Sequence, residues 1–171
     1  MLARALIAFL ALPGVVAGLV PALLVALDGR RGGGGAYGFM VLGLGLFCLL
    51  WCVRDFLVTG RGTLAPWEPP RHLVVVGLYR FVRNPMYVSV LTVVVGWWLA
   101  TGSRLLTGYA TLLAIGFHLR VLYHEEPWLL RQFGDEWVAY SASVRRWLPR
   151  LRPWKQDNSG QMRQGERPRE P

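Results

Sequence analysis

Four stretches of this chain carry no charged side chain: residues 5–27, 32–53, 84–103 and 105–119. Roughly twenty apolar residues cross the hydrocarbon core of a bilayer as a helix. The first three stretches reach that length alone, and the fourth reaches it if its helix runs past Arg120 towards Glu125. With 53% hydrophobic and 17% charged residues in a chain of 171, the pattern predicts an all-α integral membrane protein. About four transmembrane helices are expected.

The net charge of +9 is distributed along the chain, and its placement predicts orientation. Ten of the nineteen basic residues lie from Arg120 onward, and five lie between Arg54 and Arg83. The short loops at 28–35 and 102–104 hold Arg30, Arg31 and Arg104. With four spans the rich segments share one side with the N-terminus, and basic loops favour the cytoplasm. They also suit anionic lipid headgroups as partners. No nucleic-acid partner is expected, because no recognition module accompanies the charge. Alanine- and arginine-rich usage points to a bacterial cytoplasmic membrane, with both termini on its cytoplasmic side. Cys48 and Cys52 fall inside the second apolar stretch and read as packing residues, with no metal site.

Residues 1–58 are expected to form two N-terminal spans. The first is read as retained rather than as a cleaved signal, with Pro13 and Pro21 as kink points. Gly43 and Gly45 in the second suit close helix approach. Residues 59–76 hold three prolines and two glycines and form a cytoplasmic connector. A helical hairpin follows, Pro85 to about Thr101 and then, after Gly102-Ser103-Arg104, back through about His124. Trp128, Leu129, Phe133, Trp137, Tyr140, Val144 and Trp147 then recur near helical spacing. They predict a cytoplasmic amphipathic helix with its aromatic residues at headgroup level. Residues 59–150 make up the core, and 151–171 are expected to be a disordered basic tail.

The hairpin brings two chemically opposite features to one corner. Asn84-Pro85 reads as a helix start, with Asn capping free N–H groups and Pro at the first helical position. With Arg83 beside it, this is a site for a carboxylate or phosphate. Glu125 and Glu126 sit where Pro127 is expected to end the returning helix, at its electronegative terminus. Such acids call for a cation, for which Arg120, Arg83 and a bound positive ligand are candidates. The corner therefore fits a zwitterionic ligand with an α-amino acid end. The same residues equally fit a set of internal ion pairs, and spacing alone does not separate the two.

Gly77-Leu78-Tyr79-Arg80, Arg83-Asn84-Pro85-Met86-Tyr87, the hairpin, and Tyr123, Glu125, Glu126 and Pro127 together resemble a superfamily of integral membrane methyltransferases. It unites the isoprenylcysteine carboxyl methyltransferases with the phospholipid N-methyltransferases. Gly60, Gly62, Thr63, Ala65 and Pro66 resemble its earlier motif. Phe133-Gly134, Trp137, Tyr140, Val144, Arg146, Trp147 and Pro149 resemble its C-terminal signature, so the likeness covers about residues 54–150. The resemblance implies S-adenosylmethionine as donor in a cytoplasm-facing pocket, with a lipophilic methyl acceptor arriving through the membrane. It implies donor-binding roles for Arg71, His72, Leu73, Val74, Tyr79, Arg83, Asn84, Pro85, Met86, Tyr87, Glu125 and Glu126. Arg120 falls near an arginine implicated in the acceptor site. His72 and His124 are candidate bases, with Arg120 and His124 the candidate catalytic residues. Asn84 stands where the isoprenylcysteine enzymes have His, which directs attention to phospholipid amines beside prenylated carboxylates as acceptors. Two alternatives stay open: a nicotinamide-dependent enzyme like the membrane sterol reductases, and a non-catalytic membrane interaction protein.

Overall fold

The structure, a computed structural model, describes residues 10–29, 35–60 and 73–155. Among the described residues every regular element is helical. A π-helical stretch, Leu10–Leu19, runs into α1 (Val20–Asp28). Then come α2 (Ala36–Gly60), a 3-10 turn at Gly77–Arg80, α3 (Pro85–Thr101) and α4 (Arg104–Arg120). A π turn, Val121–Glu125, joins α4 to α5 (Glu126–Ser143) without a break.

Two helices are long and apolar enough to cross a membrane, Ala36–Asp55 and the continuous run Arg104–Ser143. That is fewer than the four expected. Pro13–Asp28 and Pro85–Thr101 are apolar but shorter. Seventeen residues of α3 rise about 25 Å, a little under the hydrocarbon thickness. The helix stops there because Gly102 adopts a left-handed conformation (φ 68°) and closes the turn with a 2.7 Å bond from its N–H to the Trp98 carbonyl.

Pro127 does not end a helix as the sequence suggested. It enters the first turn of α5, and the ladder upstream widens to the π form. Proline has no N–H for the carbonyl one turn back, and the wider turn re-pairs the neighbouring groups, with Glu126 N–H reaching the Val121 carbonyl. Pro21 has the same effect near the N-terminus. Its missing N–H, together with the change from π to α pairing at Leu19–Val20, leaves the Val16 and Ala17 carbonyls open to side-chain donors. Tyr109 of α4 bonds to Val16 (2.8 Å) and Trp97 of α3 to Ala17 (3.1 Å). The N-terminal helix is thus tied to the hairpin by the consequence of its own proline.

The main helix contact is α2 against α3, and three glycines set its closeness. A Cβ on Gly38 would stand 2.3 Å from the Ala100 backbone nitrogen, one on Gly45 2.7 Å from that of Val93, and one on Gly96 2.4 Å from that of Leu42. Backbones meet there directly. Gly45 plays the expected role, whereas Gly43 faces open space, and Gly38 and Gly96 complete the interface. Beneath them Leu49, Val90 and Val93 are buried with Ala17.

The chain beyond α5 folds back as a strap across the corner between the 3-10 turn and α3. Arg83 N–H bonds to the Arg145 carbonyl, Arg150 N–H to Phe81, and Trp154 N–H to Arg80, each at 2.9 Å. Packed chain therefore continues through Trp154, whose ring stands edge-on to Tyr140. Residues 156–171 lie outside the described residues.

Overpacking a tight contact lowers stability by about 1–3 kcal/mol. Gly45→Ala and Gly96→Ala are expected at the upper end of that range, and Gly43→Ala within about 0.5 kcal/mol of the parent. Unfolding midpoints of the three variants in one detergent check this.

Candidate active site

Asn84 occupies the position before α3, as expected, but its side chain does not cap the helix. Its backbone carbonyl takes the Val88 N–H (3.2 Å), while its Nδ2 donates to the Arg146 carbonyl of the strap (3.2 Å). The residue clamps two segments 62 positions apart. Tyr140 acts in parallel, its hydroxyl donating to the Tyr79 carbonyl at 2.7 Å.

Behind this backbone clamp lies an ionic one. Arg146 grips Glu126 with a fork, Nε to Oε1 at 2.7 Å and Nη2 to Oε2 at 2.8 Å, and Arg83 Nη1 reaches Oε1 at 3.1 Å. Two-point pairing of guanidinium and carboxylate is the strong, directional form of this interaction. Arg83 also lies over the Trp137 ring, 5.7 Å from its centroid. Burial pulls the Arg83 pKa below the usual guanidinium value, and the Glu126 charge opposes that pull. The side chain of Arg83 is 12% exposed, and its buried Nε–H has no partner among the described residues.

Glu125 makes a second, separate cluster. Its Oε1 accepts the Tyr87 hydroxyl and the Arg120 Nε–H (2.9 Å), and Arg120 Nε also lies 3.1 Å from the Tyr87 oxygen. Tyr87 is stacked on Phe117 of α4, with centroids 4.4 Å apart. The hairpin thus brings the start of α3 against the end of α4, as its antiparallel course requires.

Between the two clusters is a cavity of about 250 Å³. Leu73, Val74 and Tyr79 form one wall, and Arg83, Asn84, Met86 and Tyr87 a second. Arg120, Glu125, Trp128 and Leu129 form a third, closed by Trp137 and Tyr140. Burial pushes the Tyr79 phenol well above its ordinary pKa, so it stays a neutral hydroxyl.

Nine of the residues expected at the site therefore line one cavity: Leu73, Val74, Tyr79, Arg83, Asn84, Met86, Tyr87, Arg120 and Glu125. Arg71 and His72 lie outside the described residues. Pro85 is buried at the helix start, on a different pocket. Glu126 stands behind the wall, holding two arginines. His124 is exposed and is not part of the lining. Sequence reasoning missed Arg146 as a partner of Glu126, and it read Trp137 and Tyr140 as part of an amphipathic stripe without foreseeing that both are buried inside the protein. Their signal was the spacing after Gly134, which breaks α5 with φ 49° and ψ −123° and turns the following residues inward.

If Asn84 were an ordinary helix cap, Asp would replace it well. As a clamp it needs an N–H donor, and Asp would set a carboxylate against the Arg146 carbonyl. Asn84→Asp is expected to destabilise by about 1–3 kcal/mol, the loss typical of a buried group left without its partner. A melting temperature equal to the parent's would return Asn84 to a capping role.

A family model described as phospholipid methyltransferase matches residues 35–136. That interval takes in α2, the 3-10 turn, α3, α4 and the cavity walls up to Glu136. No curated protein and no solved structure matches the chain. The match spans more than half of the 171 residues, and the chain belongs to the phospholipid methyltransferase family.

Proposed function

We propose that this protein is an S-adenosylmethionine-dependent membrane methyltransferase acting on a lipophilic acceptor. The observation that carries the reading is a single cavity in which Arg83 and Glu125 present opposite charges among aromatic walls. The buried Arg83 Nε–H lacks a partner among the described residues, and a carboxylate would supply one. Glu125 suits the ammonium of the same amino acid end. Tyr79, Trp128, Trp137 and Tyr140 offer faces for a flat ring system. Residues able to hold the donor are therefore present at both ends.

When bound, S-adenosylmethionine supplies a methyl group on sulfonium sulfur: the S–CH3 bond breaks as the acceptor–CH3 bond forms, and sulfur keeps the electron pair. The protein's part is positioning and exclusion of water. Glu126 and Arg146 hold Arg83 in place, and the Tyr87–Arg120 pair fixes Glu125. An amine acceptor would release one proton; His124, a candidate base, is exposed and lies outside the cavity lining.

In this reading the π-helical stretch continued by α1, together with α3, joins α2 and α4 as membrane crossings. Both termini and the strap lie in the cytoplasm, and the bilayer is that of a bacterial cell. The family match supports methyl transfer over nicotinamide-dependent reduction, and the acceptor class that fits best is a phospholipid amine.

Saturable binding of S-adenosylmethionine to detergent-purified protein is expected by titration calorimetry. Losing one charge-assisted contact weakens binding about 10–100-fold. Glu125→Gln should show that loss, and His124→Ala should bind as the parent does. Absence of binding at millimolar donor by folded protein would sink the reading.

A further inference from the structure

The hairpin carries a second cavity that the donor site does not use. It is a groove of about 620 Å³, lined on α3 by Val88, Leu91 and Val95 and on α4 by Ala114 and Ile115. From Val88 to Val95 it follows α3 for about 10 Å. Thr92 also lines it, but its hydroxyl is bonded to the Val88 carbonyl (2.8 Å). The walls are therefore apolar along their length and suit an alkyl chain.

One end differs. His118 of α4 and Trp147 of the strap close the groove there, and Trp147 Nε1–H donates to His118 Nδ1 at 3.1 Å. An indole nitrogen only donates. Nδ1 must then be the acceptor, and the ring proton of the neutral imidazole sits on Nε2. That Nε2–H has no partner among the described residues. His118 is exposed in the last turn of α4, where a lipid group can reach its free N–H. With Nδ1 occupied by Trp147, His118 offers an N–H donor to the groove.

A donor needs an electron-rich partner. Arg146 on the strap is engaged by Glu126, but Arg145, Arg150 and Arg152 on the same strap are paired with no carboxylate among the described residues, so the strap beside the groove end favours negative charge. An alkyl chain ending in an anionic oxygen meets both demands. The junction with the donor cavity is the Tyr87–Phe117 stack. Tyr87 lines the cavity while its neighbour Val88 lines the groove, and His118 follows Phe117.

We propose that His118 is the residue that selects the methyl acceptor, its Nε2–H holding a phosphodiester oxygen of a membrane lipid whose acyl chain lies along the α3–α4 groove. Trp147 is the positioning residue that fixes the ring. The assignment rests on the methyltransferase reading, and it places the head-group amine beyond the phosphodiester, towards the Tyr87–Phe117 junction.

The test uses full-length protein in maltoside micelles, which contain no phosphate, and phosphatidylethanolamine with a photoreactive diazirine in one acyl chain. Crosslinks mapped by peptide mass spectrometry are expected on α3 between Val88 and Val95 and on α4 between Ala114 and His118. His118→Leu should reduce them about tenfold or more, the effect of losing one hydrogen bond to a charged group. His118→Gln, which restores an N–H donor, should retain most of the label, and Trp147→Phe should fall between. Phosphatidic acid should compete, and diacylglycerol of the same chains should not. Equal labelling of Phe39, Leu44 and Phe47 on α2, equal competition by diacylglycerol, or an unchanged His118→Leu would overturn the proposal. Donor titration on the same preparations separates the two readings. Donor binding without groove labelling defeats the role of His118 alone. Groove labelling without donor binding defeats the methyltransferase reading and the acceptor role with it.

Discussion

The clasp of Arg83 and Arg146 on Glu126 holds the rest of the site in place. Its three members come from the turn before α3, the start of α5 and the strap, so it joins three segments at one carboxylate. Side-chain exposures of 12%, 18% and 31% make it a partly buried network. Such a network stabilises little relative to an apolar core, but loss of one member leaves charge uncompensated. Its value lies in geometry: one carboxylate fixes two guanidiniums, and Asn84 and Tyr140 add backbone bonds alongside. The cavity wall is thereby assembled from segments that would otherwise be free to separate.

Prolines direct the helices in an unexpected way. Pro127 and Pro21 each remove one N–H from a helical ladder, and in both places the chain widens to a π form upstream and continues. At Val121–Glu125 the widened turn adds a residue between Arg120 and the two glutamates. The extra residue turns Glu125 to Arg120 and Tyr87, and Glu126 to Arg83 and Arg146. A regular helix would separate adjacent side chains by about 100°. Here two neighbouring carboxylates serve two different clusters, and a π turn at a functional position is common for this reason.

The hairpin, its Gly102 turn and the nearness of Asn84 to Glu125 were legible in the sequence, because turn chemistry and antiparallel return leave few other courses. The charge balance at the corner was legible in part. Arg120 lies five residues from Glu125 and Arg83 is brought to Glu126 by the hairpin's return, whereas Arg146 follows α5 and reaches Glu126 only because the strap folds back. Nothing local announces such a return. The same holds for Trp137 and Tyr140. Their helical spacing looks like a surface stripe until Gly134 redirects it, and a positive φ in mid-helix is not written in periodicity. Gly96 was overlooked for a related reason: its value depends on Leu42 standing opposite.

On the proposed reading, methyl transfer to a lipid sets an awkward demand, since a charged donor and an apolar acceptor must meet away from water. One hairpin end can satisfy it. Successive residues on a helix point about 100° apart, so Tyr87 and Val88 face different sides of α3, as Phe117 and His118 do on α4. The stack of Tyr87 on Phe117 then divides a polar cavity from an apolar groove with a wall one aromatic pair thick. The carboxylate clusters of Glu125 and Glu126 stay on one side, and on the other the alkyl surface ends at His118 and Trp147. A substrate spanning that division would need its reactive atom only a short distance from its membrane-soluble part, which is how a phospholipid amine is built. The same division explains why the helices can be short. What they must enclose is the boundary between two cavities, and α3 and α4 meet there within two turns of their ends.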